Sequence, residues 1–351
     1  MQTVEKSYIS GRNVRAFDNF QGMPEDLEKI GISIAMDAVQ NPVLPSAIVA
    51  PIQFLQTQLP GFVRVATAAM KIDEILGILT AGSWEDEEVI QGVMETLSTV
   101  QPYGDYSNIP LSSFNPNFER RSVVRFEAGE QAGILEEARA ARINANAMQM
   151  KREAAVMALE INRNLVGFNG YNSGTGRTYG LLNDPNLPAY VTFPNGLSGS
   201  ALWQNKTLSE ITNDLRISFA ALRVQSQDTI DVANDAITMV IPTSKIEYLT
   251  TNSDFGYSVR KWLNDNYKNV RIISCPQFIL ANGGSNSYYL FAENVGGAST
   301  DDGRVFTQIV PTKFKLVGTQ QTAKGYKEDY SNALAGIMLK RPWAIVRFTG
   351  L

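Results

Sequence analysis

The chain contains no histidine and a single cysteine, Cys275. The missing histidine removes Ser-His-Asp and Cys-His catalysis, and with them the commonest metal ligand. One cysteine excludes an intrachain disulfide and any multi-cysteine zinc site. With nothing to activate it, Cys275 reads as an ordinary residue of a buried strand, where free cysteines usually lie. Carboxylates, a glycine-rich run and arginines remain. Glu85-Asp86-Glu87-Glu88 offers carboxylates for general acid-base work. Adjacent positions on a strand point to opposite faces and do not converge, so an acidic edge, solvated or at an interface, is the stronger reading. Asp301-Asp302, between Thr300 and Gly303, lacks the ligand spacing of a calcium loop and reads as a turn. The run from Gly167 to Thr178 invites a phosphate-loop reading, which needs a strand before it, a helix after it and a lysine before the Ser/Thr. Here the run follows a helical segment and Arg177 stands where the lysine belongs, so it reads as a loop closing a helix. Arg120-Arg121, beside Phe118, suits a protein-protein salt bridge better than a nucleic-acid contact. No catalytic, cofactor-binding or metal site emerges. A hydrolase using carboxylates alone is the enzyme alternative, and it lacks a converging set.

Composition bounds the rest. At 351 residues, 44% hydrophobic and 19% charged, the chain is globular and long enough for two lobes. A net charge of −4 argues against a protein whose main task is gripping nucleic acid. The most apolar early stretch, Val43 to Leu55, is cut by Pro45 and Pro51 and is too short to span a bilayer. No basic segment followed by an apolar one marks a secretory signal, so the sequon at Asn205 carries little weight.

The elements that would position any site form an unusual order. Residues 1 to about 25 are polar and without period. Glu25 to Ala38 predicts a short helix with Pro24 at its start. Residues 41–60 hold four prolines and read as extended. Phe62 to Leu79 predicts a short helix or strand pair. From Trp84 to Glu127 the pattern predicts a two-stranded arm: Val89 to Val100 outgoing, a polar loop from Pro102 to Asn117, and Ser122 to Glu127 returning. A lone two-stranded hairpin is marginal in water and needs something to lie on.

Gln131 to Val166 then predicts one long helix, a rod of roughly 50 Å. Two apolar stripes run along it. One holds Ile134, Ala138, Ala141, Ala145, Met148, Ala155, Leu159 and Val166; the other holds Leu135, Ile143, Ala147, Met150, Ala154, Ile161 and Leu165. Their period is nearer 3.6 than 3.5, which favours packing on a sheet over a coiled coil. Gly167 and Gly170 are expected to end the helix. Beyond it, helices from Thr207 to Val224, Lys245 to Thr250 and Tyr257 to Asn266 alternate with strands from Thr238 to Ile241, Val270 to Ser274 and Tyr288 to Ala292. Closing strands run from Val305 to Val317, Ala333 to Leu339 and Trp343 to Phe348. The class is α+β.

Several stretches resemble the major capsid proteins of tailed bacteriophages, with the Hong Kong 97-type fold. Tyr103-Gly104-Asp105-Tyr106 with Ile109-Pro110 is similar to that family's extended loop. Gly133 to Arg139, continuing to Asn164, resembles its spine helix. Gly180-Leu181-Leu182-Asn183 resembles the lead into its axial domain. Gly336-Ile337 and Arg341-Pro342-Trp343-Ala344 resemble its closing peripheral strands. The resemblance implies an N-arm over 1–60, a first peripheral part over 61–83 and an extended hairpin loop over 84–127. Spine helix and peripheral domain follow over 128–190, an axial domain over 191–318 and closing peripheral strands over 319–351. It implies a non-enzymatic shell protein, assembled in a host cytoplasm into pentamers and hexamers of an icosahedral virion. Non-specific DNA would lie on the inner face, with separate scaffold, portal or cement proteins as partners, and neither cofactor nor membrane. An encapsulin-like nanocompartment shares the fold and is the alternative. Arg120, Arg121, Arg125, Glu85, Glu87, Glu88, Tyr103 and Tyr106 are the candidate inter-subunit contacts. Some family members lock their shells through a lysine on the extended loop. No lysine occurs here between Lys71 and Lys151, so that chemistry is not carried over. Nor does a long charged scaffolding segment precede Gln21.

Overall fold

A computed structural model describes residues 69–142, 146–172, 174–252, 257–296 and 300–351. The helix expected from Glu25 to Ala38, and Ile143 and Ala145 of the long stripes, lie outside them. In chain order the elements are α1 (Ile72–Leu76), β1 (Glu88–Leu97), β2 (Ser113–Ser122), β3 (Val124–Gly133), α2 (Ile134–Arg142) and α3 (Ala147–Asn169). Next come β4 (Tyr190–Thr192), α4 (Leu208–Gln225), β5 (Ile237–Pro242), α5 (Val259–Asn266), β6 (Val270–Cys275) and β7 (Ser287–Ala292). The chain closes with β8 (Phe306–Ile309), β9 (Thr312–Thr322), β10 (Gly325–Leu334), β11 (Gly336–Leu339) and β12 (Ile345–Thr349).

The main core surrounds a five-stranded mixed sheet of order β4-β12-β7-β5-β6. Every residue of β5 and β7 is buried, which is why Ile237 to Pro242 and Ser287 to Ala292 read as unbroken β-forming runs rather than alternating ones. Leu215, Phe219 and Leu222 of α4 pack into this core with Phe193, Trp203 and Phe348. Thr207 begins α4 with a capping box to Glu210, the local signal that starts the helix there. Its polar side carries a buried ion pair: Lys206 Nζ lies 2.6 Å from Asp214 Oδ2, which also accepts from Trp203 Nε1 at 3.0 Å. Trp343 to Phe348, expected among closing peripheral strands, ends in β12, which pairs with β7 and β4 in this sheet.

A second, antiparallel sheet has the order β3-β10-β9, and α3 lies on it through Ala155, Leu159 and Tyr330. Here the sequence reading and the structure differ. Gln131 to Gly133 have the spacing of a helix start, yet they extend β3, because pairing with β10 from Lys327 to Gly325 satisfies their backbone. Tertiary pairing overrides the local preference. The long helix is accordingly described as α2 and α3. Its end is also shifted. Gly167 is inside α3, against Ile72 of α1, and a Cβ there would sit 2.6 Å from Ile72 Cγ1. Gly170, at φ 69°, is the C-terminal cap and donates its N–H to Val166 O. Ala155, Leu159 and Val166 of the first stripe are buried, whereas Ile134 of that stripe and Leu135, Met150, Ile161 and Leu165 of the second are exposed. Val305 to Val317 is broken at Pro311 into β8 and β9. Cys275 is the buried last residue of β6, and burial pushes its thiol up to about 12. Asp301 and Asp302 form ion pairs with Arg341 and Lys340.

Candidate functional site

The most distinctive feature is the β1–β2 hairpin. The two strands pair antiparallel from Glu88↔Ser122 to Leu97↔Ser113. The returning strand is therefore Ser113–Ser122, not Ser122 to Glu127, and Val124 to Glu127 belong to β3 instead. This register decides which side chains share a face, since alternate residues point the same way. Ile90 and Met94 lie opposite Arg120 and Pro116, and Phe118 and Phe114 lie opposite Gly92 and Thr96. One face thus carries Ile90, Met94, Phe114, Pro116 and Phe118. Among the described residues these side chains stay exposed: Ile90 is 53% exposed, Met94 68%, Phe114 61% and Phe118 59%. The opposite face mixes polar Gln91, Glu95, Asn115, Asn117 and Glu119 with exposed Val93 and Leu97. The first face is the more apolar of the two, and no described residue covers it.

The tip continues the pattern. Val100, Tyr103, Tyr106, Ile109 and Leu111 are among the most exposed large apolar residues of the described chain. Tyr103 and Tyr106, both candidate contacts, are here and are almost fully exposed. Gln101 Nε2 donates to Asn108 O across this loop.

The root is built differently. Arg121 points away from the apolar face and is buried, with 1% of its surface accessible. Its Nε donates to Ile337 O at 3.0 Å and its Nη2 to Asp184 Oδ2 at 2.7 Å; Nη1 donates to Glu119 Oε1 and to Arg120 O. The Tyr179 ring lies 5.1 Å beneath the guanidinium. Asp184 is also saturated, accepting from Asn186 N and Leu339 N. Arg121 was expected at an inter-subunit contact. The structure corrects this: strand alternation sends Arg120 outward and Arg121 into its own protomer, where it fastens the hairpin.

The other charged candidates stay near the surface. Arg120 lies 3.7 Å from Glu88, both about half exposed. Arg125 donates to Trp84 O at 2.6 Å and Asp86 O at 3.0 Å and pairs with Glu87 at 3.1 Å. It thereby clamps the acidic turn to the start of β3. Glu85 is exposed, and a backbone hydrogen bond, then one from Ser83, hold its carboxyl below the usual range. Exposed pairs of this kind contribute about 0–1 kcal/mol. The sequence reading missed Asp184, Tyr179 and the Ile337 carbonyl, because partners this distant in sequence leave no local signal. It also missed the apolar face, although Ile90-x-Gly92-x-Met94 and Phe114-x-Pro116-x-Phe118 alternate with period two.

A family model, described as Pa193 gp26 major capsid protein, matches residues 41–350. The chain belongs to this major capsid protein family. No curated protein matches the sequence. Among solved structures, the capsid of the Myoviridae phage XM1 is similar with a TM-score of 0.69 and 16% identity, covering 89% of this chain and 100% of that one. The capsid of a native GTA particle gives a TM-score of 0.58 at 10% identity over 88% and 99% of the two chains. A capsid chain of Mycobacterium phage Ogopogo gives 0.52 at 11% over 86% and 99%. At such identities the likeness is one of fold, and the fold of this major capsid protein is the Hong Kong 97 type.

Proposed function

We propose that this major capsid protein assembles with copies of itself into pentamers and hexamers that close an icosahedral phage head around DNA. The apolar face of the hairpin supports this reading most directly. A strand pair with Ile90, Met94, Phe114 and Phe118 in solvent is a poor design for a free monomer and a good one for a lattice. A contact in which one copy's hairpin meets a different surface of the next is heterologous, and it closes into a ring when the rotation permits. The native GTA capsid, a relative in fold, is described with C5 symmetry, which fits such rings.

The role is structural rather than enzymatic, and the mechanism is geometric. Arg121 holds the hairpin root rigid, so the hairpin presents its apolar face at a defined angle. Arg120, Glu85, Glu87, Glu88, Tyr103 and Tyr106 remain the contact candidates that project outward. The domain plan follows from this: hairpin loop over 84–127, spine and peripheral parts over 128–190, and an axial part over 191–318, with β12 returning to its sheet. Assembly in a host cytoplasm, with separate scaffold, portal or cement proteins and non-specific DNA inside, completes the reading. Phage-head family membership favours a genome over an encapsulin-type protein cargo.

Electron microscopy and light scattering of the purified protein test it. Rings or closed shells are expected, and particles recovered from infected cells should hold nuclease-resistant DNA. A stable monomer at high concentration would overturn the assembly reading, and particles filled with protein alone would overturn the genome reading.

A further inference from the structure

A cluster of polar side chains sits where α3 crosses the β3–β10 sheet. Glu130 and Glu328 are direct cross-strand partners. Both point to the α3 side, where like charges placed opposite each other are destabilising. Tyr330 Oη makes three contacts there. Arg152 Nε donates to it at 3.0 Å, it lies 3.2 Å from Glu130 Oε1, and it is hydrogen bonded to Glu328 Oε2. Arg152 Nη2 donates to Glu328 Oε2 at 2.8 Å.

The hydrogens do not suffice if both carboxyls are ionised. A phenol has one hydrogen to donate, and a carboxylate has none. Tyr330 can serve Glu328 or Glu130, not both, while its oxygen can accept two hydrogen bonds. One further hydrogen must come from a carboxyl. Arg152 Nη2 donates to Glu328, while its Nε stands 3.6 Å from Glu130 Oε1 and gives its hydrogen to Tyr330 instead. Glu130 has a side chain only 3% exposed, and its Oε2 is buried with no hydrogen-bond partner. A buried carboxylate without partners is far more costly than a buried acid. The consistent chain runs from the Glu130 acid to Tyr330, from Tyr330 to the Glu328 carboxylate, and from Arg152 to both.

We propose that Glu130 carries a proton in the folded protomer, and that this proton latches the first turns of α3 to the β3–β10 sheet. The joint then loosens when the proton leaves. The electrostatics agree. Burial pushes the Glu130 carboxyl up, whereas Tyr330 and then Arg152 hold Glu328 down. Tyr330 and Arg152 oppose that shift at Glu130 and burial outweighs them, while the nearby lysines are engaged elsewhere, Lys151 with Gln131 O and Glu136 and Lys327 with Asp329. Glu137 of α2 is bound by the Tyr326 hydroxyl, and β9 contributes the Phe314 ring stacked on Tyr330. A glutamate raised on folding stabilises fully below its unfolded value of about 4.3, and that contribution is lost as pH rises through the higher folded value. The latch is thus closed in acid and opens as pH rises through the folded value.

Infrared difference spectroscopy of the purified full chain, titrated upward from acid pH, tests this. Wild-type protein is expected to keep a protonated-carboxyl carbonyl band above the pH at which free glutamate ionises, and Glu130→Gln should lack it. Asp214, whose burial also favours its neutral form, contributes equally to both samples and cancels. The melting temperature of wild type should fall by about 2–4 °C more than that of Glu130→Gln across the same rise. Identical spectra in the two proteins overturn the proposal. If Glu130→Gln does not fold, Glu328→Gln decides. It frees the Tyr330 hydrogen for Glu130, so the band should move to lower pH, and an unmoved band overturns the proposal.

Discussion

Arg121 Nη2 lies 2.7 Å from Asp184 Oδ2, and both side chains are buried, although 63 positions separate them in sequence. This pair joins the last turn of the hairpin root to the segment that follows α3. Thr178 Oγ1 donates to Ser122 O at 2.7 Å beside it, so the root is tied twice. Such a pair need not raise stability over an apolar substitute, but breaking one half leaves a buried charge alone. Arg121→Met should therefore destabilise the protomer by about 3–5 kcal/mol. Chemical denaturation reads the loss. Arg121→Met with Asp184→Leu should recover much of it, and an unchanged midpoint in the single variant would show that the pair carries no weight.

Much of the fold is legible in the sequence because the signals are local. Gly170 after a helix, a Thr-x-x-Glu capping box at Thr207 and unbroken β-forming runs at Ile237 and Ser287 each announce an element within a few residues. What stayed hidden depends on pairing. β3 takes Gln131 to Gly133 from the expected helix only because β10 lies alongside. The same shift hid the hairpin's apolar face: without the correct returning strand, Phe114 and Phe118 cannot be placed beside Met94 and Ile90. Arg120 and Arg121 look alike as a dipeptide and differ only through strand alternation. The candidate site was thus legible as a region and not as a set of roles.

Gly167 gives a test of the contact between α1 and α3. Its missing side chain lets Ile72 approach within a distance that any Cβ would occupy, 2.6 Å from Ile72 Cγ1. Helix propensity alone favours alanine over glycine by about 1 kcal/mol. Overpacking costs about 1–3 kcal/mol and opposes it. Gly167→Ala should lower the melting temperature despite the better helix former, and Gly167→Ala with Ile72→Ala should partly restore it. A higher melting temperature in the single variant would mean that α1 yields without cost.

The hairpin has no lysine, so no amide cross-link can start from it. Mature particles boiled in detergent should release single chains near 38.6 kDa. A ladder of resistant multimers on a denaturing gel would show that some other nucleophile locks the shell.

The apolar hairpin face carries the sharpest test of assembly. Met94 and Phe118 are exposed in the protomer, so a charge at either position meets water and leaves the fold intact. Surface substitutions of this kind usually change stability by less than about 0.5 kcal/mol. In a lattice the same charge would be buried against a neighbour without a partner, at roughly 2–7 kcal/mol or more for each contact. The cost repeats at every copy, so closure should fail even though each protomer is sound. Met94→Asp with Phe118→Asp is expected to retain the wild-type circular dichroism and melting temperature and to form no shells in electron micrographs. Arg120→Glu, facing the same side, should act in the same direction but more weakly, because its pair with Glu88 is solvent-exposed. Normal shells from the double aspartate variant would place this face in solvent in the assembled particle. Loss of folding would instead place it in the protomer's own core, against the exposure seen here.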